Sequence, residues 1–325
     1  MIQSDSRVFL VTGALGCIGA WVVYHLVKQG ERVVAFDISD RKHRLNFLLD
    51  PQEQVGIGFV RGDLSRFEDV VGSFQEGRVT HVIHLAALQV PFCRADPVAG
   101  AQVNVVGTVN VFEAARRSGI GHVVYASSIA VYGPASFYPP GPVKPDAPFL
   151  PKTIYGVYKE ANEGTARIYW EEEGLSSTAL RPHTVYGVGR DQGVTSDPTR
   201  AMLAAAAGRD FQINFCNRVQ LQFVSDVARQ FVEASRRRLE GALAFNLGGE
   251  VVGMPELIHL IQEIVPSARI SHSDLCLPFP ESFDDGPLAQ NFERVYQTPL
   301  RDGVRHSIEA FRSYLAEGRP GLELS

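Results

Sequence analysis

The chain runs to 325 residues, 45% of them apolar and 21% charged, with a formal net charge of −5. That length allows one large α/β domain plus a smaller lobe, and the acidic balance excludes a nonspecific grip on nucleic acid or an anionic membrane. The one basic run, Arg236-Arg237-Arg238, ends a predicted helix, where it offsets the helix dipole. The four cysteines, Cys17, Cys93, Cys216 and Cys276, show neither Cys-x-x-Cys nor zinc spacing. A reduced cytoplasmic setting and no metal are therefore expected. The apolar stretches are too short or too amphipathic to span a membrane, and MIQSDSR leads into a strand without a signal-peptide pattern.

Taken in chain order, β-branched runs at 8–11, 32–36, 58–60, 81–85, 122–127 and 177–181 read as strands. Helical spacing fills 21–29, 67–75, 98–118 and 153–173 between them. Alternation of this kind predicts an α/β fold, a Rossmann-type doubly wound parallel sheet with helices on both faces. Six prolines make 137–151 an ordered loop. Beyond Arg181 the pattern loosens: a Gly- and Pro-bearing stretch at 186–198, an Ala-rich helix at 199–207, and a strand at 244–247 that returns to the main sheet. From Met254 onward, two or three helices with Pro-rich connections predict a smaller, discontinuous C-terminal lobe. The Met and Trp residues read as core.

The first strand runs into Thr12-Gly13-Ala14-Leu15-Gly16-Cys17-Ile18-Gly19, which opens a helix. In that setting Gly13 permits a tight turn, Gly16 lets backbone amides approach a pyrophosphate, and Gly19 allows close helix–strand packing. The helix N-terminus then offers unpaired N–H groups to the phosphates, with Cys17 and Ile18 in its first turn. Asp37 ends the second strand, 18 residues beyond Gly19. A carboxylate there accepts bonds from ribose hydroxyls and repels a 2′-phosphate, favouring NAD over NADP, although Arg41 and Lys42 lie close by. Asp63 and Leu64 follow the third strand as adenine contacts, with Asp63 equally readable as a helix N-cap. On this reading residues 1–181 and about 217–248 bind NAD, and about 182–216 and 249–325 form the substrate lobe.

Tyr155 and Lys159 stand four apart on a predicted helix and share one face, whereas Tyr158 does not. A free phenol titrates near ~10, and a neighbouring ammonium favours its ionised form, which would bring Tyr155 toward a working range. Ser128, 27 residues before Tyr155, ends the fifth predicted strand at the sheet edge where cofactors bind. Its hydroxyl can bond a reacting oxygen. Ser127 is the neighbouring candidate, and strand alternation allows only one of the two to face the site.

Together these residues resemble the extended short-chain dehydrogenase/reductase family, in particular its NAD-dependent sugar epimerases and dehydratases of the UDP-glucose 4-epimerase type. The likeness runs through His84-Leu85-Ala86-Ala87, Asn104-Val-Val-Gly107, Tyr125-Ala-Ser-Ser128 and Tyr155–Lys159, then Arg181-Pro182-His183-Thr184-Val185-Tyr186-Gly187 and Phe223-Val-Ser-Asp226. It implies Ser128, Tyr155 and Lys159 as a catalytic triad. It extends the cofactor contacts to Leu85, Ala86, Ala87, Asn104, Pro182 and Thr184, with Asn104 a buried polar link on a long helix. It also implies a homodimer formed through the helices that bear Asn104 and Tyr155.

Departures from the family pattern narrow the chemistry. Dehydratases place an acidic pair where this chain has Ile129 and Ala130, so elimination is not expected. Thr184 stands where nucleotide-sugar members carry Asn, and Val219 beside Arg218 replaces a second family arginine. The resemblance thus implies oxidation of a sugar-type secondary alcohol through a keto intermediate, with epimerisation as the net outcome. The alternative is a net NAD-dependent dehydrogenase of a free sugar, sugar acid or hydroxy acid. A non-catalytic NAD-binding sensor or scaffold stands third. Gln89, Phe92 and Arg94 are substrate-pocket candidates or plain loop residues, and His183 joins them. Arg190 and Asp191 either meet an anion or form a loop salt bridge, and His84 reads as a packed strand residue because no partner ligand lies at metal spacing.

Overall fold

The computed structural model describes residues 7–321; the leading segment read for a signal peptide lies outside them except for Arg7. β1 (Val8–Thr12) is buried throughout, as a strand covered on both faces must be. α1 (Cys17–Lys28) begins one turn before the predicted 21, because the glycine loop itself supplies the first helical turn. β2 (Arg32–Asp37), α2 (His43–Asn46), β3 (Gly58–Arg61), α3 (Phe67–Gly77) and β4 (His81–His84) follow.

The predicted helix 98–118 is not one helix. α4 (Val90–Ala95) precedes it, and α5 (Pro97–Ala101) starts at Asp96, whose carboxylate accepts from the Ala99 N–H at 2.9 Å. A π-helical turn at Gln102–Val106 then passes into α6 (Gly107–Arg117). Asn104 sits in that wide turn, not on a continuous α-helix. A periodicity of 3.6 cannot flag an inserted residue, and such π turns concentrate at functional sites.

β5 (His122–Ala126) is followed by the proline loop and by α7 (Ile154–Glu173). Thr153 caps α7 through the Gly156 N–H at 3.0 Å, and Gly174 closes it with φ 66. Next come β6 (Ser176–Arg181), β7 (Thr184–Tyr186), α8 (Asp197–Ala206), β8 (Phe211–Ile213) and β9 (Val219–Phe223). The chain ends through α9 (Val224–Arg236), β10 (Ala242–Asn246), β11 (Glu250–Val252), α10 (Met254–Ile264), β12 (Ile270–His272), α11 (Gly286–Asn291) and α12 (Leu300–Ala316).

Seven strands form one parallel sheet in the order β10-β6-β5-β4-β1-β2-β3. The order reverses between β1 and β4, opening a crevice at their carboxyl ends, where ligands of doubly wound sheets bind. Val22, Val23 and Leu26 of α1 pack with Val227 and Phe231 of α9 over one face, and each such burial contributes roughly 1.5–3 kcal/mol. β11-β9-β7 and β12-β8 make two small sheets. A separate core of Met202, Leu221, Met254, Leu257 and Val304 holds the C-terminal elements. Among the described residues no helix is long and apolar enough to cross a membrane.

Candidate active site

A cleft of about 800 Å³ runs along the carboxyl edge of the main sheet, within the range of small-molecule sites. Its floor is the glycine loop. Gly13 has φ +67, and a Cβ there would lie 2.7 Å from the backbone N of Ala86; at Gly19 it would lie 2.0 Å from the Gly13 carbonyl oxygen. Gly16 caps α1 without a side chain, and the first turn holds no acidic residue. The N–H groups there stay available to an anion. Cys17 and Ile18 line the cleft beside them, and burial pushes the Cys17 thiol up to about 11.

Asp37 is fixed at the end of β2: one oxygen accepts the Leu15 N–H at 2.9 Å, the other the Ser39 N–H at 3.0 Å. Each oxygen keeps a lone pair for a ribose hydroxyl. Of the two nearby cations, Lys42 lies over the Phe59 ring, 3.3 Å from its centroid, and Arg41 stays at the rim. Asp63 is not the cap of α3, a position Arg66 holds; it accepts both the N–H and the hydroxyl of Ser65 at 2.8 Å. Leu64 lies beside it in the cleft wall.

The opposite wall rises from β4. His84 is buried and held neutral, its pKa pushed down to about 3 by burial and by Lys159. The Thr108 hydroxyl donates to the Asn104 carbonyl at 2.7 Å, so it accepts from His84 Nε2 at 3.1 Å, and His84 Nδ1 then accepts from Thr12 at 2.6 Å. This chain of bonds ties the ends of β1 and β4 to the π turn, and Leu85, Ala86 and Ala87 continue it along the cleft. Asn104 grips the backbone of Leu88 from both sides, accepting its N–H at 2.7 Å and donating to its carbonyl at 2.9 Å. Its side chain orders the wall and does not itself line the cleft.

Ser128, Tyr155 and Lys159 converge on the cleft. The Ser128 hydroxyl oxygen accepts the Ala130 N–H at 3.2 Å, which leaves its hydrogen to donate. Burial pushes the Tyr155 phenol up to about 12, against the lowering pull of its bond with Ser128 and of the Arg190 charge. The expected help from Lys159 is not among the causes of this shift: its ammonium lies 5.6 Å from the Tyr155 ring centroid and donates to the Ala126 carbonyl at 2.6 Å. Lys159 is itself pushed down to about 8 by burial. The adjacent Ser127 also borders the cleft, but its hydroxyl is engaged, donating to Glu163 at 2.5 Å.

The remaining sequence candidates divide. Gln89, Phe92, Arg94, Pro182, His183 and Arg190 all line the cleft. His183 Nδ1 accepts the Gln220 N–H at 3.2 Å, so Nε2 carries the ring hydrogen, buried and without a protein partner. Burial pushes its pKa down to about 3, keeping the ring neutral. Gln89 Oε1 and Arg190 Nε are likewise buried and unpartnered, while Arg190 Nη2 reaches Thr195 at 3.3 Å. Thr184 is a correction. Its hydroxyl is buried without a partner and the residue lies off the cleft wall, packed in β7. The loop salt bridge belongs to Asp191, which accepts from Arg44 at 2.8 Å.

Several residues in and behind the cleft have no role legible in the sequence. Arg44 donates to the Leu15 carbonyl at 3.1 Å and joins α2 to the glycine loop. Leu277, Pro278 and Phe279 close the far rim from a connection after β12. Glu163 and Arg181 lie behind the serines as a buried pair at 2.6 Å. Glu163 is the residue one turn beyond Lys159, and Arg181 opens a motif of the family resemblance that assigns it no role.

Comparison with known proteins agrees with this geometry. A family model, the NAD dependent epimerase/dehydratase family, matches residues 9–248. The UDP-glucose 4-epimerase of Mycolicibacterium smegmatis is 34% identical over 77% of this chain and 80% of its own length. The Thermus thermophilus UDP-glucose 4-epimerase, solved as a complex with NAD, superposes with TM-score 0.80 at 26% identity, covering 94% of this chain and 99% of its own. MoeE5, solved in complex with UDP-glucose and NAD, gives TM-score 0.79 at 29% identity over 94% of this chain and 99% of its own. The chain belongs to the NAD-dependent epimerase/dehydratase family.

Proposed function

We propose that the chain inverts a secondary alcohol of a nucleotide-linked sugar, at C4, through a keto intermediate. The observation that carries this reading is the meeting of Ser128, Tyr155 and Lys159 in one cleft beside a glycine cradle. That cradle suits a dinucleotide: a Cβ at Gly13 or Gly19 would collide with backbone, and α1 opens uncapped. Residues 13–19 would hold the pyrophosphate and Asp37 the adenine ribose. When bound there, NAD supplies a reversible hydride acceptor and, oxidised, a positive ring charge.

Tyr155 takes the hydroxyl proton of the substrate at its Oη and returns it at the end of the cycle. At about 12 the phenol needs a second positive charge besides Lys159 to ionise near neutrality. Ser128 turns its hydroxyl hydrogen from Tyr155 to the oxygen that becomes a carbonyl. Lys159, anchored on Ala126, keeps its charge beside the phenol. Ile129 and Ala130 are buried and apolar, so no acid stands where elimination would need one.

The test is incubation of the purified enzyme with UDP-glucose and, separately, UDP-glucuronate, followed by chromatographic separation of the products. The expected result is an equilibrium mixture of C4 epimers without stoichiometric NADH. Stoichiometric NADH from a free sugar, sugar acid or hydroxy acid, with no epimer formed, would replace this reading with the dehydrogenase. What favours that second reading is Thr184, which stands where nucleotide-sugar members carry Asn and does not line the cleft.

The working unit is a homodimer. Val98, Val106, Val157 and Ile168, on α5, the π turn and α7, are 69%, 45%, 45% and 39% exposed, an apolar set that a second copy would cover. Sedimentation equilibrium checks it. The cytoplasm is the proposed compartment, since the spacing of the four cysteines shows no secreted-type disulfide framework.

A further inference from the structure

Cys216 and Cys276 are 60 residues apart in the chain, yet their sulfurs stand 3.2 Å from each other. Backbone and side-chain bonds bracket the pair. The Cys216 N–H donates to the Leu275 carbonyl at 3.0 Å. Asn217 accepts the Leu277 N–H at 2.6 Å and donates to the Leu277 carbonyl at 2.9 Å. Below them the Ser273 N–H donates to the Ile213 carbonyl at 2.8 Å, continuing the β12–β8 pairing. Two connections are thus held in register with one thiol on each. Closing a disulfide asks the sulfurs to approach by roughly 1 Å, to the ~2.05 Å bond length. Cys276 is exposed, and Cys216 is partly so, so an oxidant reaches the pair from solvent. The next residues, Leu277, Pro278 and Phe279, are cleft wall.

We propose that Cys216 and Cys276 form a reversible disulfide, made by thiol–disulfide exchange with a small-molecule disulfide, that ties the Leu277–Pro278–Phe279 wall to the turn between β8 and β9. The Cys276 thiolate attacks one sulfur of the small disulfide, forming a mixed disulfide and releasing one small thiol. The Cys216 thiolate then attacks the Cys276 sulfur, forming the protein disulfide and releasing the second thiol. Two protein thiols are oxidised, the small disulfide is reduced to two thiols, and the two protein protons leave with the departing thiolates. The thiol of Cys216 is held up by its bond to Cys276, so closure quickens with rising pH. This inference stands apart from the sugar chemistry: neither thiol is assigned a part in it.

The test uses the full chain with NAD, incubated with oxidised glutathione and then digested without reduction. The expected product is one intrachain peptide pair joining Cys216 to Cys276, lighter by two hydrogens and reversed by dithiothreitol. Hydrogen exchange of residues 273–279 is expected to slow by about fivefold in the oxidised protein, with no change in Cys276→Ser treated alike. Stable glutathione adducts at either cysteine, cross-links between chains, or unchanged exchange in the closed form would each overturn the proposal.

Discussion

The hydroxyl of Ser127 donates to the carboxylate of Glu163 at 2.5 Å, and that bond engages the one of two adjacent cleft serines that is not paired with Tyr155. Glu163 also takes both ends of the Arg181 guanidinium, at 2.8 and 2.6 Å. Arg181 is 3% exposed and reaches on to Tyr132 and to the Pro145 carbonyl. One carboxylate thus joins the end of β5, the face of α7 that carries Lys159, and the end of β6.

Glu163→Gln should therefore cost more than a surface ion pair. It leaves a buried guanidinium short of its counter-charge, a loss of about 3–5 kcal/mol. Ser127→Ala removes one hydrogen bond and should cost about 1 kcal/mol. Urea denaturation of both variants checks the order; equal and small losses would mean that the network does not hold this edge.

Tyr155→Phe should lower kcat by about 10²- to 10⁴-fold, the range expected for losing a positioned acid–base group. NAD binding, followed by fluorescence titration, should stay close to wild type because the glycine cradle is untouched. Near-normal turnover in this variant would remove Tyr155 from the chemistry.

The pH dependence follows from two opposed shifts. Lys159 titrates at about 8 in the folded chain and near ~10.4 when unfolded. Between those values the unfolded state binds more protons, so its contribution to stability rises with pH and is lost as pH falls through about 8. Tyr155 is raised to about 12 against ~10 unfolded, so its contribution is present below ~10 and lost as pH climbs through about 12. The difference in Tm between wild type and Lys159→Met should move in favour of wild type from pH 7 to 10. A difference that does not change with pH would show that the ammonium is not strained by burial.

Much of this site was legible because its signals are local. The glycine spacing after a buried strand, an acid at the end of the next strand, and a Tyr–Lys pair one turn apart are all fixed by short stretches of chain. Strand alternation allows only one of Ser127 and Ser128 to face the site, and the family resemblance picks Ser128; the Glu163 partner that engages Ser127 is not legible in the sequence. What escaped depends on tertiary contact. Arg181 meets Glu163 only because β6 and α7 pack together, and Leu277 reaches the cleft only because β12 pairs with β8. The π turn at Gln102–Val106 breaks the period on which helix reading rests. Thr184 matched a family position that grips substrate, yet it is buried in β7 off the cleft wall, a placement that motif spacing does not encode.

Asp37→Ser should weaken NAD by about 10- to 100-fold, the loss expected for charge-assisted hydrogen bonds of ~1.5–3 kcal/mol. NADP should lose little or gain, because the repulsion of its 2′-phosphate is removed while Arg41 remains at the rim. The ratio of the two dissociation constants is the measurement, since it cancels any general loosening from the lost Leu15 bond. An unchanged ratio would place the selectivity elsewhere.

Gly19→Ala and Gly72→Ala form a matched pair. At Gly19 the added methyl would stand 2.0 Å from the Gly13 carbonyl oxygen, so the loop or α1 has to move. Overpacking of that kind costs about 1–3 kcal/mol, and the displaced amides should also cost NAD affinity. Gly72 lies within α3 with nothing within 4 Å of its would-be Cβ. The same methyl there should stabilise by up to about 1 kcal/mol, because alanine loses less freedom than glycine on entering a helix. Chemical denaturation and NAD titration on both proteins separate the effects: Gly19→Ala should lose in both, and Gly72→Ala should gain stability with NAD binding unchanged. If Gly19→Ala binds NAD as wild type does, close contact between Gly13 and α1 is not what shapes the cradle.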